Sequence, residues 1–301
     1  MMSPETLSPH WEWYYIAMYF FIGGVSAGAY FIGSLAELLG KEKHREISRI
    51  AYYIAFPLIC ITPVLLIADL GQPWRFWHLF FYSKNGIPYM NTTSALSVGT
   101  WALLVYSGMS FLSFLNNLVS DGRVKSKPLS DLFSRIPHKV YAAIGSFFGF
   151  FVAGYTGVLL NITARPLWVA TDPLIGPLFI VSGASTGAAA IALVMMWRKM
   201  EPGEALRRLE VFDRVAMIVE LPLIVAMIII AGKFAAPLLK GFYAFMFWGG
   251  TVVLGILVPL GLNWYGRRPG AAAGNVSMLT AILVLFGGAL LRICLVQAGQ
   301  I

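Results

Sequence analysis

The chain has 301 residues, of which 58% are hydrophobic and 12% charged, and its mean hydropathy is +0.74. A soluble domain carries about 25% charged residues, so this composition excludes an aqueous fold and leaves lipid as the solvent. The net charge of +8 therefore raises the question of which membrane loops hold it, rather than suggesting a nucleic-acid partner. Two cysteines, Cys60 and Cys294, sit in separate apolar runs, and the histidines are His10, His44, His78 and His138. Without a CxxC or a Cys/His cluster, the chain is expected to hold no iron–sulfur cluster of its own. No pair of histidines is spaced for a haem.

A span needs roughly 20 apolar residues, and eight such runs follow one another. Their expected bounds are Trp13–Leu39, Ile50–Leu70, Thr93–Leu118, His138–Ile162, Asp172–Trp197, Asp213–Gly232, Lys240–Tyr265 and Asn275–Gln297. The runs are too long and too uniformly apolar for barrel strands, which makes the expected fold an all-α integral membrane protein. The N-terminus lacks the basic region and cleavage site of a signal peptide, so the first run is expected to be retained. Sixteen of the 22 Lys and Arg residues fall in the segments after helices one, three, five and seven. The positive-inside rule then predicts both termini outside the cytoplasm.

Helix one contains Gly24-Val25-Ser26-Ala27-Gly28-Ala29, and helix five contains Gly183-Ala184-Ser185-Thr186-Gly187-Ala188. Helix two runs from Arg49-Ile50-Ala51 to Pro57-Leu58, and helix six from Arg214-Val215-Ala216 to Pro222-Leu223. The nearly constant offset predicts two four-helix units of like orientation in one membrane domain. The first covers 1–139 through the third interhelical loop and continues through helix four to about 165; the second covers 166–301. The paired glycines are GxxxG motifs, which let helix backbones approach closely in lipid.

Ionisable groups at membrane depth cost about 2.5–3.5 kcal/mol each on insertion scales, so their positions carry information. The expected outer helix ends gather His10, Glu12, Asp69, Arg75, His78, Asn161, Arg165 and Asp172 among tryptophans and tyrosines. An interfacial aromatic belt explains the aromatics but not Asp69, which closes an unbroken apolar span. Carboxylate, imidazole and phenol beside flat aromatic walls suit a quinone headgroup, whose reduction needs two protons; the same residues would also suit an anion transporter. Deeper in, Glu220 is either a proton-conducting group or a satisfied contact between helices.

Several runs resemble the NrfD-like membrane subunits, the family that includes the membrane subunit of polysulfide reductase. They are Tyr19 to Gly28; Asp69-Leu70-Gly71-Gln72-Pro73-Trp74-Arg75-Phe76-Trp77-His78; Ser97 to Trp101; Tyr155 to Leu160 followed by Thr163 to Trp168; Ser182 to Gly187; and Gly288 to Arg292. Gln72 stands where the family's run has Arg. The resemblance implies two four-helix bundles in a prokaryotic cytoplasmic membrane. It implies an iron–sulfur electron-transfer subunit and a molybdopterin catalytic subunit docked on the outer face, and electron exchange with menaquinone or ubiquinone. By the same resemblance Asp69, Tyr155 and Arg165 lie at the quinone site, with His10 or His78 as the contacting histidine; Asn161 and Glu12 are added as quinone-binding candidates from their place in the outer polar cluster. A secondary transporter and a passive anchor are the rival readings.

Overall fold

The computed structural model describes residues 11–39, 45–84, 87–200, 203–265 and 273–301. Eight helices in it are long and apolar enough to cross a membrane. Helix one spans Trp13–Leu39, helix two Arg45–Ala68, helix three Ala95–Ser120 and helix four His138–Asn161. Helix five spans Ile175–Trp197, helix six Glu204–Ala231, helix seven Phe242–Trp264 and helix eight Ala273–Ala298. Helix one has the expected ends. Helices two and six start earlier than their hydropathy predicts, because each opens with a charged turn in which backbone hydrogen bonding continues. Arg45 and Glu46 occupy that turn in helix two; Glu204 and Arg208, bonded at 2.5 Å, occupy it in helix six.

The chain is not purely helical. Between helices two and three a 3₁₀ turn at Pro73–Leu79 is followed by two short antiparallel strands, Tyr82–Lys84 and Ile87–Tyr89. Pro73 opens the turn and blocks continuation of helix two. A short helix, Lys127–Arg135, lies in the loop before helix four, and another, Pro166–Ala170, precedes helix five. Part of helix seven, Met246–Leu257, is π-helical.

Helices one and five form the centre. Their apolar windows are 83% and 78% buried, against 33–39% for helices two, three, six and seven, which face outward. Small residues make this centre possible. A Cβ on Gly28 would overlap the carbonyl of Gly183, and one on Gly187 would overlap the backbone of Gly28 and Ala29. Gly24 and Gly183 likewise face each other across the seam. The two GxxxG motifs therefore pack on one another, backbone against backbone, as the small-residue rule for lipid-embedded helices requires. Overpacking costs about 1–3 kcal/mol where neighbours can shift, and here the neighbour is main chain. Gly28→Ala is expected to lower stability by about 3 kcal/mol, and Gly28→Ile to prevent accumulation of folded protein. Thermal unfolding in detergent checks the first, and membrane yield the second.

Within helices one to four, buried tyrosines stack in a column. Ring centroids of Tyr52 and Tyr30 are 5.0 Å apart, and those of Tyr30 and Tyr106 5.5 Å. Each hydroxyl has a partner: Tyr52 donates to Glu37 at 2.7 Å, Tyr30 pairs with Ser113 at 2.8 Å, and Tyr106 with Ser26 at 2.9 Å. Ser26 in turn donates to the carbonyl of Ala55 at 2.7 Å. Buried hydroxyls must be satisfied in this way, and they bind helices one, two and three together.

Candidate functional site

Asp69 is the first residue past helix two, where the chain leaves the helix for the Gly71-Gln72-Pro73 turn. Its carboxylate is half-buried. Burial first, and then the nearby Glu12 carboxylate, push it above the usual carboxylate range. Such a group keeps its proton to higher pH than a surface aspartate. Tyr14 lies within electrostatic reach of both Glu12 and Asp69, so the start of helix one and the end of helix two meet here.

Beside them, the segment after helix four folds against the end of helix eight. Trp168 is fully buried, donates from its indole to the Leu295 carbonyl at 2.7 Å, and stacks on Trp11 at 5.3 Å. Gly299 leaves the space that the Trp168 ring fills. Trp11 is held at both its backbone groups: its N–H donates to Gln300 Oε1 at 2.7 Å, while Gln297 and Gln300 donate to its carbonyl at 3.0 and 2.8 Å. Arg165 donates weakly to the Gln300 carbonyl at 3.5 Å, and its Nε–H is buried without a partner among the described residues. Asn161 donates to the Trp168 carbonyl at 3.0 Å, which turns the chain into the short helix. An unused guanidinium N–H beside an indole wall can bind a carbonyl or anionic oxygen.

The other expected site residues divide. Tyr155 is buried in helix four, its ring lying in the space left by Gly99 and stacked on Phe151 at 6.0 Å. Tyr19 of helix one lies near it. Six residues separate Tyr155 from the helix end at Asn161, or about 9 Å at 1.5 Å per residue, so it stands deeper than Arg165. His78 is exposed on the 3₁₀ turn and stacked on Trp77 at 3.7 Å; Arg75 and Asp172 are not enclosed by the cluster either, Arg75 being exposed on the same turn. His10 lies outside the described residues.

Glu220 is deeper still. Helix six begins at Glu204, so Glu220 sits 16 residues from its start, about 24 Å along the axis. It is buried against Ser182, and Arg292 is close enough to act on it electrostatically. Arg292 is wholly buried and donates to Ser182 Oγ at 2.6 Å and to the Gly288 carbonyl at 3.0 Å. Its guanidinium also lies 5.0 Å from the Phe179 ring.

Sequence reasoning missed a second polar cluster at the opposite, arginine-rich end. Glu37 pairs with His138 and accepts from Tyr52. Both line a cavity of about 370 Å³ with Arg45, Arg49, Asn117 and Asp121. Arg49 bonds Asp121 at 2.6 Å. The signal was present in the spans, since Glu37 closes helix one and His138 opens helix four, which puts both at one depth.

Likeness to known proteins runs along the whole chain. The family described as polysulphide reductase, NrfD, matches residues 4–301. An NrfD homologue of Haemophilus influenzae is 27% identical over 98% of this chain and 96% of its own length. The C subunit of polysulfide reductase from Wolinella succinogenes is 28% identical over 96% and 94%, and NrfD of Escherichia coli 27% over 97% and 95%. With a family match running almost end to end and eight helices fit to cross a membrane, the chain belongs to the polysulphide reductase NrfD family.

Proposed function

We propose that this chain is the quinone-reacting membrane subunit of a respiratory reductase complex in a prokaryotic cytoplasmic membrane. In this reading the arginine-rich end faces the cytoplasm and the Asp69 end faces outward, with both termini there. The chain comprises two four-helix units that meet at the glycine seam. Its likeness to one lettered subunit of a polysulfide reductase supports companion subunits: an iron–sulfur protein and a molybdopterin protein on the outer face. Menaquinone or ubiquinone is the substrate at the membrane rim, taking two electrons from the iron–sulfur partner and two protons to become quinol, or the reverse.

One observation carries this reading. At the outer ends of helices one, two and four, a carboxyl held above the usual carboxylate range by burial and then Glu12 shares one end of the bundle with a guanidinium that has an unused N–H. A stacked pair of indoles shares that end too, and its Trp11 directly precedes Glu12. Asp69 exchanges a proton with one quinone oxygen, with Glu12 setting how readily it does so. Arg165 binds the other oxygen, and Asn161 holds the turn that presents it. Tyr155 forms the inner wall, and His10 supplies a further proton-exchanging group. Glu220 passes protons deeper in the second unit.

The 370 Å³ cavity at the Glu37–His138 end supports a second reading, in which quinone binds at that rim. Ligand pockets are mostly apolar with few polar groups, whereas charged and amide side chains dominate this one, so a hydrated vestibule fits it better. A photoreactive quinone added to the purified complex separates the two readings. The first expects labelled peptides containing 11–14, 69–78 or 161–168; labelling confined to peptides containing Glu37 or His138 establishes the second. Solute uptake by the purified chain alone would establish a transporter instead, and failure of any quinone to label or protect the subunit would leave a passive anchor.

A further inference from the structure

Helix six carries four carboxylates: Glu204 in its exposed first turn, and Glu210, Asp213 and Glu220 farther along. Glu220 has Arg292 as its counter-charge. Among the described residues Asp213 has none. It is 5% exposed, and the charged groups that act on it are Glu220 and Glu210, both acidic. A buried carboxylate with no positive partner costs several kcal/mol, so either a proton or a bound cation neutralises it.

The space around Asp213 suits the cation. A small cavity lies between helices five, six, seven and eight, lined by Asp213, Glu210, Asn263, Ser277 and Thr280 with alanines of helix five. It has room for about 10 Å³ of water-sized occupant, about one such sphere. Ser185 donates to Asp213 Oδ1 at 2.5 Å and Ser277 to Glu210 Oε1 at 2.5 Å, which leaves the second oxygen of each carboxylate outside those two bonds. Thr280 is 4% exposed, and its hydroxyl is buried without a partner among the described residues; the Asn263 amide nitrogen is also buried without one. An amide presents oxygen or nitrogen after a half-turn. The cavity is therefore ringed by carboxylate, hydroxyl and amide oxygens, two of its groups unused in the fold.

We infer that this cavity binds a single small hard cation, Na⁺, held by Asp213 and Thr280 with Glu210, Ser277 and Asn263 around it. All-oxygen donor sets select hard ions. The charge follows from the local count: Glu220 is balanced by Arg292 and Glu210 is only partly buried, so one positive charge neutralises the buried Asp213. The size follows from the cavity, which takes one water-sized occupant. The inference is independent of the quinone reading, since it concerns binding by the chain itself.

The test uses the purified full-length protein in detergent at fixed pH and fixed ionic strength, with choline exchanged for Na⁺ and, separately, for K⁺. The expected result is a thermal unfolding midpoint that rises and saturates with Na⁺ but not with K⁺. Asp213→Asn abolishes the rise. Thr280→Val, which keeps the volume and removes one neutral oxygen, raises the half-saturating Na⁺ concentration at least tenfold, and so serves if Asp213→Asn does not fold. Glu37→Gln, at the other polar cluster, leaves the response unchanged. A midpoint equal in Na⁺, K⁺ and choline, or one that moves with pH alone, overturns the inference, because a proton then neutralises Asp213.

Discussion

Asp69→Asn is expected to lower quinone-linked turnover by at least about 100-fold, the lower range for loss of a general acid–base group, while the complex still assembles. The substitution keeps shape and removes only the ability to exchange a proton. The pH dependence supplies a second readout with a definite sign. Burial and then Glu12 hold the Asp69 carboxyl above its usual range, so a step in which it gives a proton persists as pH rises and falls away only through the raised value. Glu12→Gln removes the second cause and moves that fall to lower pH. Steady-state quinone reduction by the purified complex across pH measures both effects. Normal turnover in Asp69→Asn, or a limb that Glu12→Gln does not move, would remove the site assignment.

Arg292→Met is expected to destabilise the protein by about 3–5 kcal/mol, the usual cost of stripping one partner from a buried charge pair. The arginine ties helix eight to Ser182 and, through that residue, to Glu220 of helix six. Removing it leaves the carboxylate facing only a hydroxyl. Glu220→Gln in the same chain is expected to recover more than half of the loss, because the orphaned charge goes with it. Chemical unfolding in detergent of the two single variants and the double variant gives the coupling. Strictly additive losses would show that the two side chains do not depend on each other, and Glu220 would then be free for proton transfer alone.

Much of the architecture is legible in the residues alone. Eight apolar runs separated by basic loops become eight helices, because in lipid every backbone polar group must be bonded within its own segment. The starts of helices two and six are not legible, since hydropathy falls at Arg45 and Glu204 while the hydrogen-bond ladder continues. The glycines of helices one and five are readable as packing residues, though nothing in their spacing says that they pack on each other. At the site, Asp69 and Arg165 stand out through their motifs. The Trp11 anchor on Gln297 and Gln300 joins opposite ends of the chain and has no local signal. Asp213 reads as the boundary of a span; only the true length of helix six places it inside the protein.

The seam of helices one and five bears on how such a chain could arise. Gly24 faces Gly183 and Gly28 faces Gly187, so each motif touches its own counterpart. That is the signature of an isologous contact about a two-fold axis, the way two identical subunits meet in a symmetric dimer. Fusing two copies end to end would preserve such a contact unchanged while freeing every other surface to diverge. What is buried differs along the chain: stacked phenols among helices one to four, acids and a guanidinium among helices five to eight.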